Sequence, residues 1–118
     1  MLTADTVDEQ WELVLGMDDQ QVSAEMPRAA YARLEIRQLY PLVSHGVLSF
    51  SRCIRFPWLE DVGTIYPRGD GYWVRRVTDG ATLGKPDTIE EAVELIVANL
   101  PPGTGPAIDG TAEDVARG

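Results

Sequence analysis

The sequence has few of the residues that hold metals or form disulfides. Its 118 residues include one cysteine, Cys53, and one histidine, His45. A single cysteine excludes an internal disulfide. One cysteine and one histidine are also too few to provide the protein ligands of a zinc site. No glycine-rich loop leads into a helix, which excludes the usual phosphate cradle for nucleotides. We therefore expect no metal and no cofactor, and we interpret Cys53 as a core residue.

Long apolar runs and basic charge are also scarce. No run approaches the ~20 apolar residues needed to cross a bilayer. Residues 1–19 are acidic where a signal peptide is basic. The formal net charge of −9 argues against binding to nucleic acid or to an anionic membrane surface. These features predict a cytoplasmic protein with neither kind of partner.

The positive charge that is present lies in the middle of the chain. Residues 1–26 hold seven acids and no base, and residues 27–76 hold eight arginines against four acids. Residues 77–118 hold eight acids against Lys85 and Arg117. Either the middle segment binds a small anion, or its arginines pair with the acidic ends, and the residues alone leave both interpretations open.

Capping patterns and proline positions predict the helices. Thr6 and Thr88 each stand three residues before a glutamate, a spacing typical of a capping box at a helix start. Pro27 suits the first position of a second helix, and Pro41 is expected to end it. After Thr88, apolar residues recur at helical spacing up to Leu100 and predict an amphipathic helix that packs on a sheet.

Alternation of apolar and polar residues predicts the strands, which fall at residues 47–54, 62–66, 72–78 and 81–83. We expect an α+β fold in which a small antiparallel sheet of three to four strands packs against the C-terminal amphipathic helix, preceded by N-terminal helices. One domain over 1–118 is expected, with a helical part to residue 38, a sheet-plus-helix core over 39–102 and an extended tail over 103–118.

Several side chains are candidates for a binding or catalytic site. Arginine forks and serine hydroxyls match the oxygens of sulfate, phosphate or carboxylate, which singles out the arginines and serines in and just after the strand predicted at 47–54. The alternative is that these arginines form surface ion pairs with Glu60 and Asp61. His45 is either a base at the mouth of the sheet or a turn histidine, and Trp58 is either a pocket wall or a core residue. The anion-binding candidates are Ser49, Ser51, Arg52, Arg55 and Trp58.

The segment from Leu39 to Cys53, followed by Pro57-Trp58, resembles a family of unknown function from actinobacterial natural-product gene clusters. Its most specific part is Ser44-His45-Gly46. The resemblance extends over about residues 39–112. The further matching blocks are Asp70-Gly71-Tyr72, Leu83-Gly84, the helix at 88–100 with Pro101-Pro102-Gly103, Gly105-Pro106-Ala107 and Gly110-Thr111-Ala112.

The resemblance implies a specific activity. The chain is similar to the small subunit of a two-protein complex in azinomycin-type pathways, which closes an aziridine ring by eliminating sulfate from an amino-sulfate ester. It implies a larger partner subunit encoded nearby and a small amino-sulfate substrate. Such chemistry needs a base for the amine, alignment of the reacting atoms and cations for the departing sulfate. His45, Asp61 or Glu60 would be the base; we take His45 and Asp61 as the catalytic candidates.

A second interpretation belongs to a different class of protein. Small, acidic α+β chains also serve as non-catalytic binding modules, such as immunity proteins or accessory stabilisers of larger enzymes. The arginines beside His45 favour the enzyme subunit, whereas the negative charge at both ends favours the binding module.

Overall fold

The computed structural model describes residues 3–117, which form an α+β fold with one five-stranded sheet. The elements in chain order are α1 (Val7–Leu15), α2 (Glu25–Tyr31), α3 (Leu34–Arg37), β1 (Tyr40–Ser44), β2 (Val47–Ser51), β3 (Thr64–Arg68), β4 (Gly71–Arg76), β5 (Ala81–Gly84), α4 (Ile89–Ala98) and α5 (Ala112–Arg117).

The predicted fold class is confirmed, and the sheet is an antiparallel meander in the order β1-β2-β3-β4-β5. Helices α1 and α4 pack on it, with α4 against β4 and β5. Both predicted threonine caps are confirmed, because the side chains of Thr6 and Thr88 accept from the backbone N–H of Glu9 and Glu91. These short helices are stabilised at their starts by the caps and along their lengths by burial of one apolar face.

The helix face of the sheet carries the main core. Val43, Leu48, Ile65 and Val74 follow one another across the strand pairs and are all buried there. Trp11 from α1 and Ile96 from α4 close this core from the helix side, both at most 1% exposed. The rigid sheet that results positions the side chains on its opposite face, which we call the open face.

Strand β1 was not predicted, and the sheet therefore has more strands than expected. All of its residues except Ser44 are buried, so the strand lacks the alternation that marks a half-exposed strand. Pro41 also favours an interruption of regular structure when only the sequence is considered. An edge strand accepts proline, however, because a backbone N–H on its outer side is not needed in the ladder. Pro67 lies likewise inside β3, which covers Thr64–Arg68 and not the predicted 62–66.

The single helix predicted from Pro27 to Pro41 is wrong. Arg33 adopts extended angles of φ −98° and ψ 124°, which separates α2 from α3. Pro27 is the third residue of α2, not the first. Both short helices place one or more side chains in the core, so tertiary packing decides the break where helix propensity alone favours continuity.

The segment after residue 102 is more structured than the predicted extended tail. Residues 107–110 run beside the end of β2: Ile108 accepts from the N–H of Ile54 at 3.0 Å and donates to the carbonyl of Arg52 at 3.1 Å. Residues 112–117 form α5, whose start is held by a bond from Ala112 N–H to the carbonyl of Pro57. Backbone pairing with 52–55 therefore fixes the segment despite its small side chains.

Candidate functional site

The open face of the sheet carries a row of polar side chains. Ser49 lies opposite Thr64, and Thr64 lies opposite Arg75, so the three share one face across β2, β3 and β4. Ser49 and Thr64 are only 7% and 3% exposed. Polar groups buried this deeply are normally hydrogen-bonded, and the exceptions call for an explanation.

A groove of about 520 Å³ lies over this row. Its walls combine apolar side chains with the polar groups of Ser49, Glu60 and Thr64. We call it the open-face groove, and its lining residues are Leu42, Val43, Ser44, His45, Val47, Ser49, Glu60, Thr64, Tyr66 and Val77. An apolar cleft with a few convergent polar groups is the usual form of a small-molecule site.

The loop after β2 brings the carboxylate of Glu60 to the groove. The backbone N–H of Arg52 donates to the carbonyl of Leu59, and the N–H of Leu59 donates to Ser51 Oγ at 3.1 Å. The chain therefore turns back on itself, with a cis peptide bond between Phe56 and Pro57. This return places Glu60 beside Ser49, whose Oγ donates to Glu60 Oε1 at 2.6 Å.

Glu60 and Thr64 are two groups in the groove with unused bonding capacity. Within residues 3–117, Glu60 forms no ion pair, so its half-buried carboxylate is compensated by a single hydroxyl. Thr64 Oγ1 is buried without a hydrogen-bond partner in the same part of the chain. A partly desolvated carboxylate without a cation favours binding of a positively charged or proton-donating group.

Arg52 is engaged by Asp61, as the ion-pair alternative predicted. Arg52 Nε and Nη2 donate to the two carboxylate oxygens of Asp61 at 2.9 and 2.6 Å. The two side chains are 19% and 20% exposed, so the pair is well shielded from water. Bidentate, charge-assisted pairs of this kind are among the stronger hydrogen-bonded contacts of an arginine, and this one leaves Nη1 of Arg52 free of the Asp61 carboxylate.

Arg55 lies away from the groove. Its Nε donates to Asp109 at 2.9 Å and its Nη1 to Asp5 at 3.3 Å, both on exposed side chains. The hydrogen bond to Asp109 raises the pKa of the Arg55 guanidinium above its ordinary value. The contact ties the loop after β2 to the segment after α4. Asp5 and Asp109 lie in the two acidic ends of the chain, so Arg55 pairs as the acidic-end interpretation predicted, and not with Glu60 or Asp61.

The remaining candidates are separated by the fold. Ser51 is fully buried, and its hydroxyl bonds within its own loop, to Cys53 and Leu59. Trp58 is half-buried against Tyr40 and Leu42, and its Nε1 has no partner among residues 3–117. Cys53 is buried, as expected. None of these three lines the open-face groove.

His45 stands at the end of the groove wall in the turn between β1 and β2. Ser44 pairs with Val47, so His45 and Gly46 form a two-residue hairpin turn, with φ values of 52° and 80°. Turns of this kind need positive φ at both positions and suit the right-handed twist of the strands. The turn is anchored from outside by a bond from Gly46 N–H to the carbonyl of Gln21. His45 itself is exposed.

Three residues of the groove and its face that were not predicted from the sequence lie on β3 and β4. Thr64 and Tyr66 line the groove, and Arg75 lies opposite Thr64, with its Nε buried and unpartnered among residues 3–117. The alternation along β3 and β4 marks their faces, but only the register with β2 brings them beside Ser49. Because neither β1 nor the register of β2 with β3 was predicted, the sequence did not indicate that Thr64, Tyr66 and Arg75 lie near Ser49.

A comparison with family models supplies the assignment. The model of a family of unknown function (DUF6193) matches residues 5–111. The chain belongs to this family. No curated protein and no solved structure matches the chain.

Two further findings bear on the partners of this DUF6193 protein. No helix within residues 3–117 is long and apolar enough to span a membrane. Across the same residues, no group of three or more histidine, cysteine, aspartate or glutamate side chains has an arrangement that would hold a metal ion.

Proposed function

We propose that this DUF6193 protein is the small subunit of a two-protein biosynthetic enzyme that closes an aziridine ring with loss of sulfate, as in azinomycin-type pathways. One observation carries the proposal. The segment that most specifically resembles such subunits, around Ser44-His45-Gly46, forms the β1–β2 hairpin, and that hairpin is one wall of the open-face groove.

The groove supplies a base of the kind that the reaction needs. An amine nitrogen attacks the neighbouring carbon, the C–N bond forms, and the C–O bond breaks with its electron pair leaving on sulfate. The proton lost from nitrogen needs a base, and the role falls to Glu60, whose carboxylate is held by Ser49. His45 and Asp61 remain candidates for the base. Glu60 is preferred, because Asp61 is paired with Arg52 and His45 lies in the exposed turn.

The departing sulfate needs fixed positive charge. Arg52 does not line the open-face groove, but it belongs to the loop that carries Glu60, and its Nη1, which is not bonded to Asp61, is the group that would donate to a sulfate oxygen. Arg75, on the same face as Thr64, is a second cation of this type. The larger partner chain would close the groove and complete the alignment of nitrogen and leaving oxygen.

Reconstitution tests the proposal. The chain is co-expressed with the product of the neighbouring gene, and the purified complex is incubated with 2-aminoethyl hydrogen sulfate, a minimal amino-sulfate ester. We expect the two chains to copurify and the complex to release sulfate, measured by ion chromatography, with aziridine detected by mass spectrometry. Equal sulfate release by the partner chain alone, or the lack of any complex, would contradict the proposal.

A non-catalytic binding module is the second candidate function. It is favoured by the ion pairs of Arg52 with Asp61 and of Arg55 with Asp109, since both arginines then hold the fold together. In that case the complex with a larger protein forms, but substitutions in the open-face groove leave the partner's activity unchanged.

A further inference from the structure

The two edges of the sheet are protected to different degrees. At the β1 edge, Gln10 Nε2 donates to the carbonyl of Pro41 at 2.9 Å, and Trp11 Nε1 donates to that of Leu39 at 3.0 Å. Helix α1 thus covers this edge. Strand β5 is the last strand at the other side, and no further strand within residues 3–117 pairs with it. An open edge presents backbone groups that can pair with another extended chain.

A groove of about 690 Å³ lies between α4 and the end of β5 with the two residues that follow it. Its walls are mostly apolar and include Gly84, Pro86, Leu95 and Ala98. Gly84 allows Leu95 to lie against the strand, because a Cβ at this position would come within 2.6 Å of Leu95 Cδ1. We call this the β5–α4 groove; its size suits the side chains of a short peptide.

The rim of the β5–α4 groove is acidic. Glu90, Glu91 and Glu94 lie along it, and Lys85 is the basic residue that lines it. Glu91 accepts from the cap residue Thr88, and Glu94 pairs with Arg33. Within the described part of the chain Glu90 forms no ion pair, so the rim keeps an uncompensated negative charge.

We propose that the β5 edge and the β5–α4 groove bind an extended segment of a partner protein that carries basic side chains beside small apolar ones. The added strand pairs with the outer side of β5, its apolar side chains enter the groove, and its basic side chains face Glu90 and Glu94. A second copy of this chain fits poorly, since two-fold pairing of β5 would bring the same acidic helix against itself. The inference does not rest on the proposed function.

A peptide titration of the full chain tests this surface. The probe is a capped hexapeptide of alternating valine and lysine, followed by amide NMR on the isotope-labelled protein. We expect shift changes at residues 81–86 and 90–98, and an affinity about tenfold higher than that of the same peptide with glutamate in place of lysine. The double variant Glu90→Gln, Glu94→Gln should weaken lysine-peptide binding by about threefold or more.

The matched control is the double variant Glu12→Gln, Glu113→Gln. Both positions are exposed, and Glu113 pairs with Arg117 as Glu94 pairs with Arg33. This control should bind the lysine peptide as tightly as the parent chain. Equal binding of the two peptides, shift changes centred elsewhere, equal loss in both double variants, or self-association through β5 in sedimentation without peptide would each overturn the inference.

Discussion

At the scale of single residues, the surroundings of each arginine decide what it can do. Arg52 and Arg55 stand three positions apart, in a segment that the sequence marks as a possible anion site. The fold places Arg52 in a shielded pair with Asp61 and Arg55 in exposed pairs with Asp109 and Asp5. Asp61 was named as a partner from local spacing, whereas Asp5 and Asp109 were covered only by the general expectation that the arginines pair with the acidic ends, because these contacts are tertiary.

Replacing Arg52 by alanine should destabilise the chain. The change removes two short hydrogen bonds and leaves the Asp61 carboxylate, 20% exposed, without its cation. We expect the free energy of unfolding in urea to fall by about 1–3 kcal/mol. The control is Arg117→Ala, which breaks a pair with side chains 70% and 73% exposed and should cost less than about 0.5 kcal/mol. Equal losses in the two variants would refute the structural role of the Arg52–Asp61 pair.

Substitutions at His45 should follow the demands of the turn. Because φ is 52° there, asparagine or glycine is expected to preserve or slightly raise thermal stability, whereas valine should lower the free energy of unfolding by about 1–2 kcal/mol. Thermal melts monitored by circular dichroism check this. A histidine whose replacement by asparagine is as damaging as replacement by valine would have a role beyond the turn.

Ionisation of Tyr72 should lower the free energy of unfolding at alkaline pH. Burial, together with the hydrogen bond from its hydroxyl to Glu25 Oε1 at 2.6 Å, raises its pKa to about 12. The stabilisation is fully present below the ordinary tyrosine pKa and is lost as pH rises from about 10 through about 12, since the unfolded chain releases this proton first. Burial also raises the pKa of Tyr40. The free energy of unfolding in urea, measured between pH 9 and 11.5, should decline as the pH rises, and the decline should be shallower in Tyr72→Phe. An unchanged slope in the variant would argue against this coupling.

At the scale of elements, the predictions that succeeded rest on local chemistry. Helix α4 follows from the cap at Thr88 and the apolar spacing predicted up to Leu100, and both features are found, although the helix ends at Ala98. They are readable from the sequence because a cap and an apolar face act within a few residues. Strand β1 was missed because burial on both faces removes the alternation that marks a strand. The open-face groove could therefore not be predicted from the sequence, because its walls depend on the pairing of β1 with β2 and on the register of Ser49 with Thr64.

The segment over 107–110 should shield Cys53. It hydrogen-bonds to residues on both sides of this cysteine, which is itself 0% exposed. We expect a chain truncated after residue 104 to react with a thiol reagent at least about tenfold faster than the full chain, because the opened loop exposes the thiol. Removal of α5 alone, residues 112–117, is the control and should leave the rate near that of the full chain. Equally slow reaction in both truncated chains would show that the segment does not cover Cys53.

At the scale of the whole molecule, the fold separates two surfaces. The open-face groove lies on the sheet side away from the helices, between the β1–β2 hairpin and the loop that carries Glu60. The β5–α4 groove lies at the far edge of the sheet, beside an acidic helix. In our proposal the first supplies chemistry and the second holds an extended partner segment, so substitutions in one should leave the other intact.

The most direct test of the central claim is the rate of sulfate release by the reconstituted complex when Glu60 is replaced by glutamine. Glutamine keeps an oxygen that accepts from Ser49 but has no basic carboxylate. With 2-aminoethyl hydrogen sulfate, kcat/KM should fall by about 100-fold or more in Glu60→Gln, the usual scale for losing a general base, and should not change in the surface control Glu12→Gln. A Glu60→Gln complex that retains kcat/KM within about twofold of the parent would contradict the claim that the open-face groove carries the chemistry.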